Sequence, residues 1–140
     1  ILQFLKGRIT GEKKFFNKLP GVSFNRANNS FKFFYELNEQ EQKEVKREVA
    51  QSWQDLIKIV QGDKYKIIVL DEIMAAVKNK IIEINDIIRL IETKNRDKEL
   101  ILTGREAPAD LIDLADYVTE MKMIKHPYQN DITARRGIEF

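Results

Sequence analysis

A chain of 140 residues with 43% hydrophobic and 33% charged residues is long enough for one domain with a real core and too short for two. Lys+Arg 24 against Asp+Glu 22 leaves a formal charge of +2, too weak a bias to argue for a nucleic acid or an anionic membrane, so any anion affinity has to come from a local site. Cysteine is absent and His126 is the lone histidine, which excludes a disulfide framework, a Cys-ligated metal centre and a His-rich metal site. No apolar run approaches the ~20 residues that span a bilayer and no signal peptide is visible, so a cytoplasmic setting is expected.

Ile1–Leu5 is short and apolar and predicts a buried strand. It opens on Ile rather than Met, with no lead-in, and this predicts a segment upstream of it. Lys6-Gly7 ends the strand, and Gly7 to Gly11 reads as a loop. Glu12–Leu19 predicts a short helix, Pro20-Gly21 a turn and Val22–Phe24 a short strand. Arg26–Leu37 reads as a polar loop with a late cluster of rings, Phe31, Phe33, Phe34 and Tyr35.

Asn38–Gln61 predicts the clearest helix. Val45, Val49, Trp53, Leu56, Ile57 and Val60 recur at three- and four-residue spacing and so share one face. Asn38 is placed to cap it, acidic Glu39 and Glu41 suit its first turn, and Gly62 ends it. Tyr65–Leu70 is apolar and β-branched, and predicts a strand buried on both faces. Asn85–Thr93 predicts a second helix packing through Ile87, Ile88 and Ile91. Leu100–Thr103 reads as another buried strand, Pro108–Ala115 as a short helix, and Tyr117–Met121 and Gly137–Phe140 as strands. Strands alternating with helices predict a single α/β domain over residues 1–140, a mostly parallel sheet with helices on both faces.

In such sheets ligands bind at the carboxyl ends of the strands, and three strand ends carry chemistry. Lys66-Ile67-Ile68-Val69-Leu70-Asp71-Glu72 ends in two carboxylates; there an acid can hold Mg²⁺ beside a triphosphate, or the pair can simply complement a helix dipole. Leu102-Thr103-Gly104-Arg105 offers a sharp turn at Gly104 and a guanidinium that either meets a phosphate bidentately or is solvated. Lys6, at the end of Ile1–Leu5, faces phosphate or solvent. The ring cluster is either a flap over a large flat ligand or a packing element. The phosphate loop GxxxxGK[ST] does not occur; GRITGEKK has the wrong spacing and no Lys-Ser/Thr, so no row of backbone amides is on hand to cradle a phosphate.

Read in order, the segments QFLKG (Gln3–Gly7), GE (Gly11-Glu12), LPGVSF (Leu19–Phe24), VLDEI (Val69–Ile73), LTGREAP (Leu102–Pro108), LIDLADYVTEM (Leu111–Met121), IKHPY (Ile124–Tyr128) and ARRGIEF (Ala134–Phe140) resemble the ATP:corrinoid adenosyltransferases of cobalamin synthesis and salvage, of the bacterial P-loop type. Each segment is weak alone, and the ordered set is specific. The resemblance begins at the family's second strand; its first strand, P-loop and helix would lie before Ile1. Asn130-Asp131 stands where a Gly usually precedes the Ile, and Glu106 where Asn is common after TGR.

The resemblance implies a RecA-like P-loop NTPase fold and a specific reaction. A cobalt(I) corrinoid attacks the 5′ carbon of ATP, triphosphate leaves, and a cobalt–carbon bond to adenosyl forms. It further implies Mg²⁺ held by Glu72 with Asp71 behind it, Arg105 near the nucleotide with Lys6, Thr103 and Gly104 around it, and Phe31 and Phe33 over the corrinoid, where they displace the lower ligand of cobalt(II). A reductant such as a flavoprotein and a homodimer are expected with it. The competing expectation is a non-catalytic corrinoid-binding or scaffold homologue that has lost the P-loop.

Overall fold

The computed structural model describes residues 1–6, 15–16, 18–30 and 32–133. Among the described residues four strands, β1 (Leu2–Gln3), β2 (Asn25–Arg26), β3 (Ile67–Asp71) and β4 (Glu99–Leu102), form one sheet in the order β2-β1-β3-β4, and each of these pairings is parallel. Parallel neighbours need crossovers; among the described residues α1 (Glu39–Gln61) lies between β2 and β3, α2 (Ile73–Lys78) and α3 (Ile84–Thr93) lie between β3 and β4, and α4 (Ala109–Leu114) follows β4. The α/β class expected from the sequence holds.

The long helix α1 forms where the periodicity places it. Asn38 Oδ1 accepts the Glu41 backbone N–H at 2.9 Å while the Glu41 carboxylate accepts the Asn38 N–H at 2.9 Å, a reciprocal cap that satisfies two otherwise orphaned donors. Val45, Val49, Trp53, Leu56 and Val60 are buried along one stripe. They join Ile68 and Leu70 of β3, Ile73, Met74 and Ala76 of α2, Ile87 and Leu90 of α3 and Leu111 of α4 in a single core. Helix α1 ends at Gly62, whose N–H donates to the Lys58 carbonyl at 2.9 Å. Beyond it lies Lys98, only 2% exposed, with its ammonium donating to the Gly62 and Tyr65 carbonyls. Backbone carbonyl dipoles solvate this buried cation, which ties the entrances of β3 and β4 together.

Several expectations are corrected. The strand read at Val22–Phe24 lies at Asn25–Arg26, because the backbone bonds that define it, Asn25 N–H to Ile1 O at 2.9 Å and Ala27 N–H to Gln3 O at 2.8 Å, are set by β1. Helix α2 follows β3 with no sequence signal beyond a short apolar run. Tyr117–Met121 is not a strand: Tyr117 is 94% and Met121 95% exposed, and no other strand offers it a ladder among the described residues. Half of Glu12–Leu19 and all of Gly137–Phe140 lie outside the described residues.

The expectation that β3 is buried on both faces also fails. Ile68 and Leu70 are buried at 3% and 0%, but Ile67 on the opposite pleat is 61% exposed, and Ile101 beside Val69 is 46% exposed. Successive side chains point to opposite faces, so an apolar run reports the identity of both pleats and not which one is covered. Leu70→Ala is therefore expected to cost about 2–5 kcal/mol, and Ile67→Ala less than about 1 kcal/mol. Urea unfolding of the two variants checks this; equal costs would show that the outer pleat is as tightly packed as the inner one.

Candidate functional site

Parallel strands bring their carboxyl ends to one edge. Leu2 pairs with Leu70 and Gln3 with Asp71, while Leu70 pairs with Leu102. Backbone bonds continue the ladder past the strands, Phe4 N–H to Asp71 O at 2.8 Å and Thr103 N–H to Leu70 O at 3.1 Å. Lys6, Asp71-Glu72 and Thr103-Gly104-Arg105 thus follow three adjacent strand ends, the place where ligands of open α/β sheets bind.

The two carboxylates behave differently. Asp71 is engaged on both oxygens: Oδ2 accepts the Gln3 Nε2–H at 2.8 Å and Oδ1 accepts the Thr103 hydroxyl at 2.9 Å. Thr103 Oγ1 in turn accepts the Glu72 backbone N–H at 3.0 Å. Glu72 takes the left-handed conformation, φ 59° and ψ 28°, as the residue before α2, and its side chain makes no capping bond. Among the described residues its carboxylate has neither a hydrogen bond nor an ion pair. Glu72 therefore stands at the start of α2 without a capping bond, a place where its charge can still complement the helix dipole.

Gly104 has φ +145°, and a Cβ there would sit 2.7 Å from Cβ and Cγ of Met74. The turn after β4 therefore rests directly on the first turn of α2. Arg105 follows, exposed. Glu106, also left-handed at φ 58°, accepts a 2.7 Å bond from Lys78 at the end of α2, and this ammonium holds its carboxyl below the usual carboxylate range. Lys6 is half-buried just past β1.

The aromatic loop leaves from the same edge. Its start is tied to the end of β1 by the Leu5 N–H to Asn28 Oδ1 bond at 3.1 Å, and to α1 by bonds from the Asn29 backbone and side chain to the Glu48 carboxylate. The rings then divide. Phe34 packs on the core, whereas Phe33 and Tyr35, 41% and 78% exposed, stack on each other at 5.5 Å and 5° between planes. Phe31 lies outside the described residues. Of the expected site residues, the structure links Asp71, Glu72 and Thr103 by hydrogen bonds and seats Gly104 against α2. It leaves Arg105 and Lys6 at the same edge and turns Phe33 toward Tyr35. Gln3 and Met74 were missed as site residues; a lone Gln between Leu2 and Phe4 in an apolar strand was the available signal.

Mg²⁺ takes hard oxygen ligands, commonly one or two carboxylates completed by substrate phosphates and water. An unpartnered Glu72 carboxylate at the sheet edge fits that donor set. Among the described residues no group of three or more His, Cys, Asp or Glu side chains could hold a metal by itself, so a cation here would need the substrate's oxygens.

A parallel sheet with helices packed on it is consistent with an α/β fold of the P-loop NTPase class. The family model for "ATP:corrinoid adenosyltransferase BtuR/CobO/CobP" matches residues 1–140, and the chain belongs to that family. A corrinoid adenosyltransferase from Sinorhizobium sp is 34% identical over 148 residues, covering 100% of this chain and 65% of that protein. One from Pseudomonas aeruginosa is 31% identical over 142 residues, covering 100% and 68%, and one from Escherichia coli is 24% identical over 140 residues, covering 100% and 69%. The chain spans about two thirds of the length of these curated relatives.

Gly104→Ala is expected to destabilise the fold by about 1–3 kcal/mol, from backbone strain alone, with the Met74 contact added to it. Met74→Ala keeps its Cβ and backbone N and removes only the Cγ clash, so Gly104→Ala/Met74→Ala should cost somewhat less than the sum of the singles, with the strain and the Cβ contact remaining. Thermal melts of the three variants decide; a Gly104→Ala melt equal to the parent's would contradict the geometry.

Proposed function

We propose that the full-length protein transfers the 5′-deoxyadenosyl group of ATP to the cobalt(I) of a corrinoid, releasing triphosphate. The observation that carries this reading is the family match over all 140 residues, supported by relatives whose names state that activity. The chemistry asks the protein for two things: reactants aligned for in-line attack at carbon 5′, and compensation of charge on the departing triphosphate. Glu72 is the residue suited to hold Mg²⁺, which when bound neutralises the leaving oxygens. Asp71 stands behind Glu72, with its own oxygens already spent on Gln3 and Thr103. Arg105 and Lys6 supply positive charge at the same edge, and the Gly104 turn lets the backbone pass close to the nucleotide. Phe33, with Phe31, covers the corrinoid face and keeps water and the lower ligand from cobalt; the exposed Phe33–Tyr35 stack is a flat surface fitted to a flat macrocycle. A flavoprotein-type reductant, a homodimer and a cytoplasmic setting belong to the same reading.

The test is direct. Full-length protein, Mg-ATP and chemically reduced cobalt(I) corrinoid should yield the alkylcobalt spectrum and one triphosphate per adenosyl transferred. Corrinoid binding without turnover would favour a non-catalytic homologue instead. Glu72→Gln should abolish turnover in a protein that melts like the parent, because a neutral amide replaces the metal's carboxylate; an unchanged kcat would reject the metal role.

The rings make a separate prediction. Replacing Phe31 and Phe33 with Ala should strongly cut adenosylation when cobalt(II) corrinoid has to be reduced in the site, since an axial donor stabilises the higher oxidation state. The same variant should lose much less when cobalt(I) is supplied. Equal loss in both assays with a lowered melting temperature would make the rings structural.

A further inference from the structure

We infer that Thr103 and Gln3 are positioning residues that set the direction of the Glu72 carboxylate, acting through Asp71 and the Glu72 backbone without touching substrate. The inference rests on the reading of Glu72 as the acid that holds Mg²⁺.

The hydrogen bonds form a directed chain across three strand ends. Gln3 is 1% exposed and its Nε2 donates to Asp71 Oδ2. Its Oε1 is buried and has no hydrogen-bond partner. A flipped amide would set this oxygen against a carboxylate oxygen, so the orientation is decided by Asp71. With Oδ2 held, Asp71 Oδ1 receives the Thr103 hydroxyl proton. A hydroxyl that has given its one proton can only accept from its remaining neighbour, and that neighbour is the Glu72 N–H at 3.0 Å. This last bond falls on a residue held in a left-handed conformation that side-chain-bearing residues seldom adopt. Such a conformation persists only where surrounding contacts over-determine it. Released from Thr103, residue 72 relaxes toward ordinary backbone angles and its side chain swings away from the edge. Outer-shell partners of this kind orient ligand carboxylates, and their loss commonly costs about 10–100-fold in metal affinity or activity.

The variants are Thr103→Val, which keeps the shape and removes the hydroxyl, Thr103→Ser, which keeps the hydroxyl, and Gln3→Met, which removes the amide. All are made in the full-length chain, beside Glu72→Gln. Three quantities are read: the melting temperature, kcat with Mg-ATP and cobalt(I) corrinoid, and hydrogen exchange at the Glu72 amide without ligands. Thr103→Val is expected to speed Glu72 amide exchange by about tenfold or more and lower kcat by about 10–100-fold, with Thr103→Ser close to the parent in both and Gln3→Met between them. Thr103→Val with kcat and Glu72 exchange within about twofold of the parent overturns the proposal. So does a Thr103→Ser loss equal to that of Thr103→Val, because the hydroxyl would then not matter. Glu72→Gln turning over at the parent's rate would instead reject the reading of Glu72 itself. Glu72→Gln inactive beside a fully active Thr103→Val would reject only the positioning role.

Discussion

The carboxylate of Asp71 is the tie on which the candidate site depends. Parallel strands have no tight turn to join their ends, so β1, β3 and the segment after β4 meet at the carboxyl edge only through ladder bonds and side chains. Asp71 accepts one hydrogen bond from Gln3 on the first side and one from Thr103 on the other, at 2.8 and 2.9 Å. Hydrogen bonds to an ionised acceptor are shorter and stronger than neutral ones, and here both run across the sheet rather than along it. The edge is held in register by this carboxylate.

Under that edge the core works from one side. Ile68 and Leu70 point into the cluster built on α1, and the buried Lys98 fixes the opposite end, where the chain enters β3 and β4. Both ends of β3 are therefore anchored by polar groups and its middle by apolar packing. The adjoining turn, Gly104 against Met74, seats the segment after β4 directly on α2. On this support Asp71 is the acid whose oxygens are both hydrogen-bonded, and Glu72 the one whose carboxylate has no partner among the described residues.

The aromatic loop solves a different problem. Its root is fixed by Asn28 and Asn29, while Phe33 and Tyr35 stack outside the core. Stacking two exposed rings on one another hides part of their apolar surface without committing it to the interior. A flat ligand can take the place of solvent on the stack at little cost to the fold, because Phe34 alone of the three described rings is packed inside.

The sequence by itself determined the class of fold, the long helix with its Asn38 cap, the parallel strand ends and the family, because periodicity, capping chemistry and ordered motifs are local properties of the chain. It also placed Asp71, Glu72, Thr103 and Gly104 at strand ends. What it could not assign was the division of labour among them. Asp71 and Glu72 are adjacent and chemically alike, and only the register of β1 and β4 brings Gln3 and Thr103 to one and leaves the other bare. The covered pleat of β3, the packing of Phe34 apart from its neighbouring rings and the exposure of Tyr117 and Met121 were equally out of reach. Each depends on which distant segment arrives beside it, and that is decided by long-range packing, where one residue's burial is set by partners dozens of positions away.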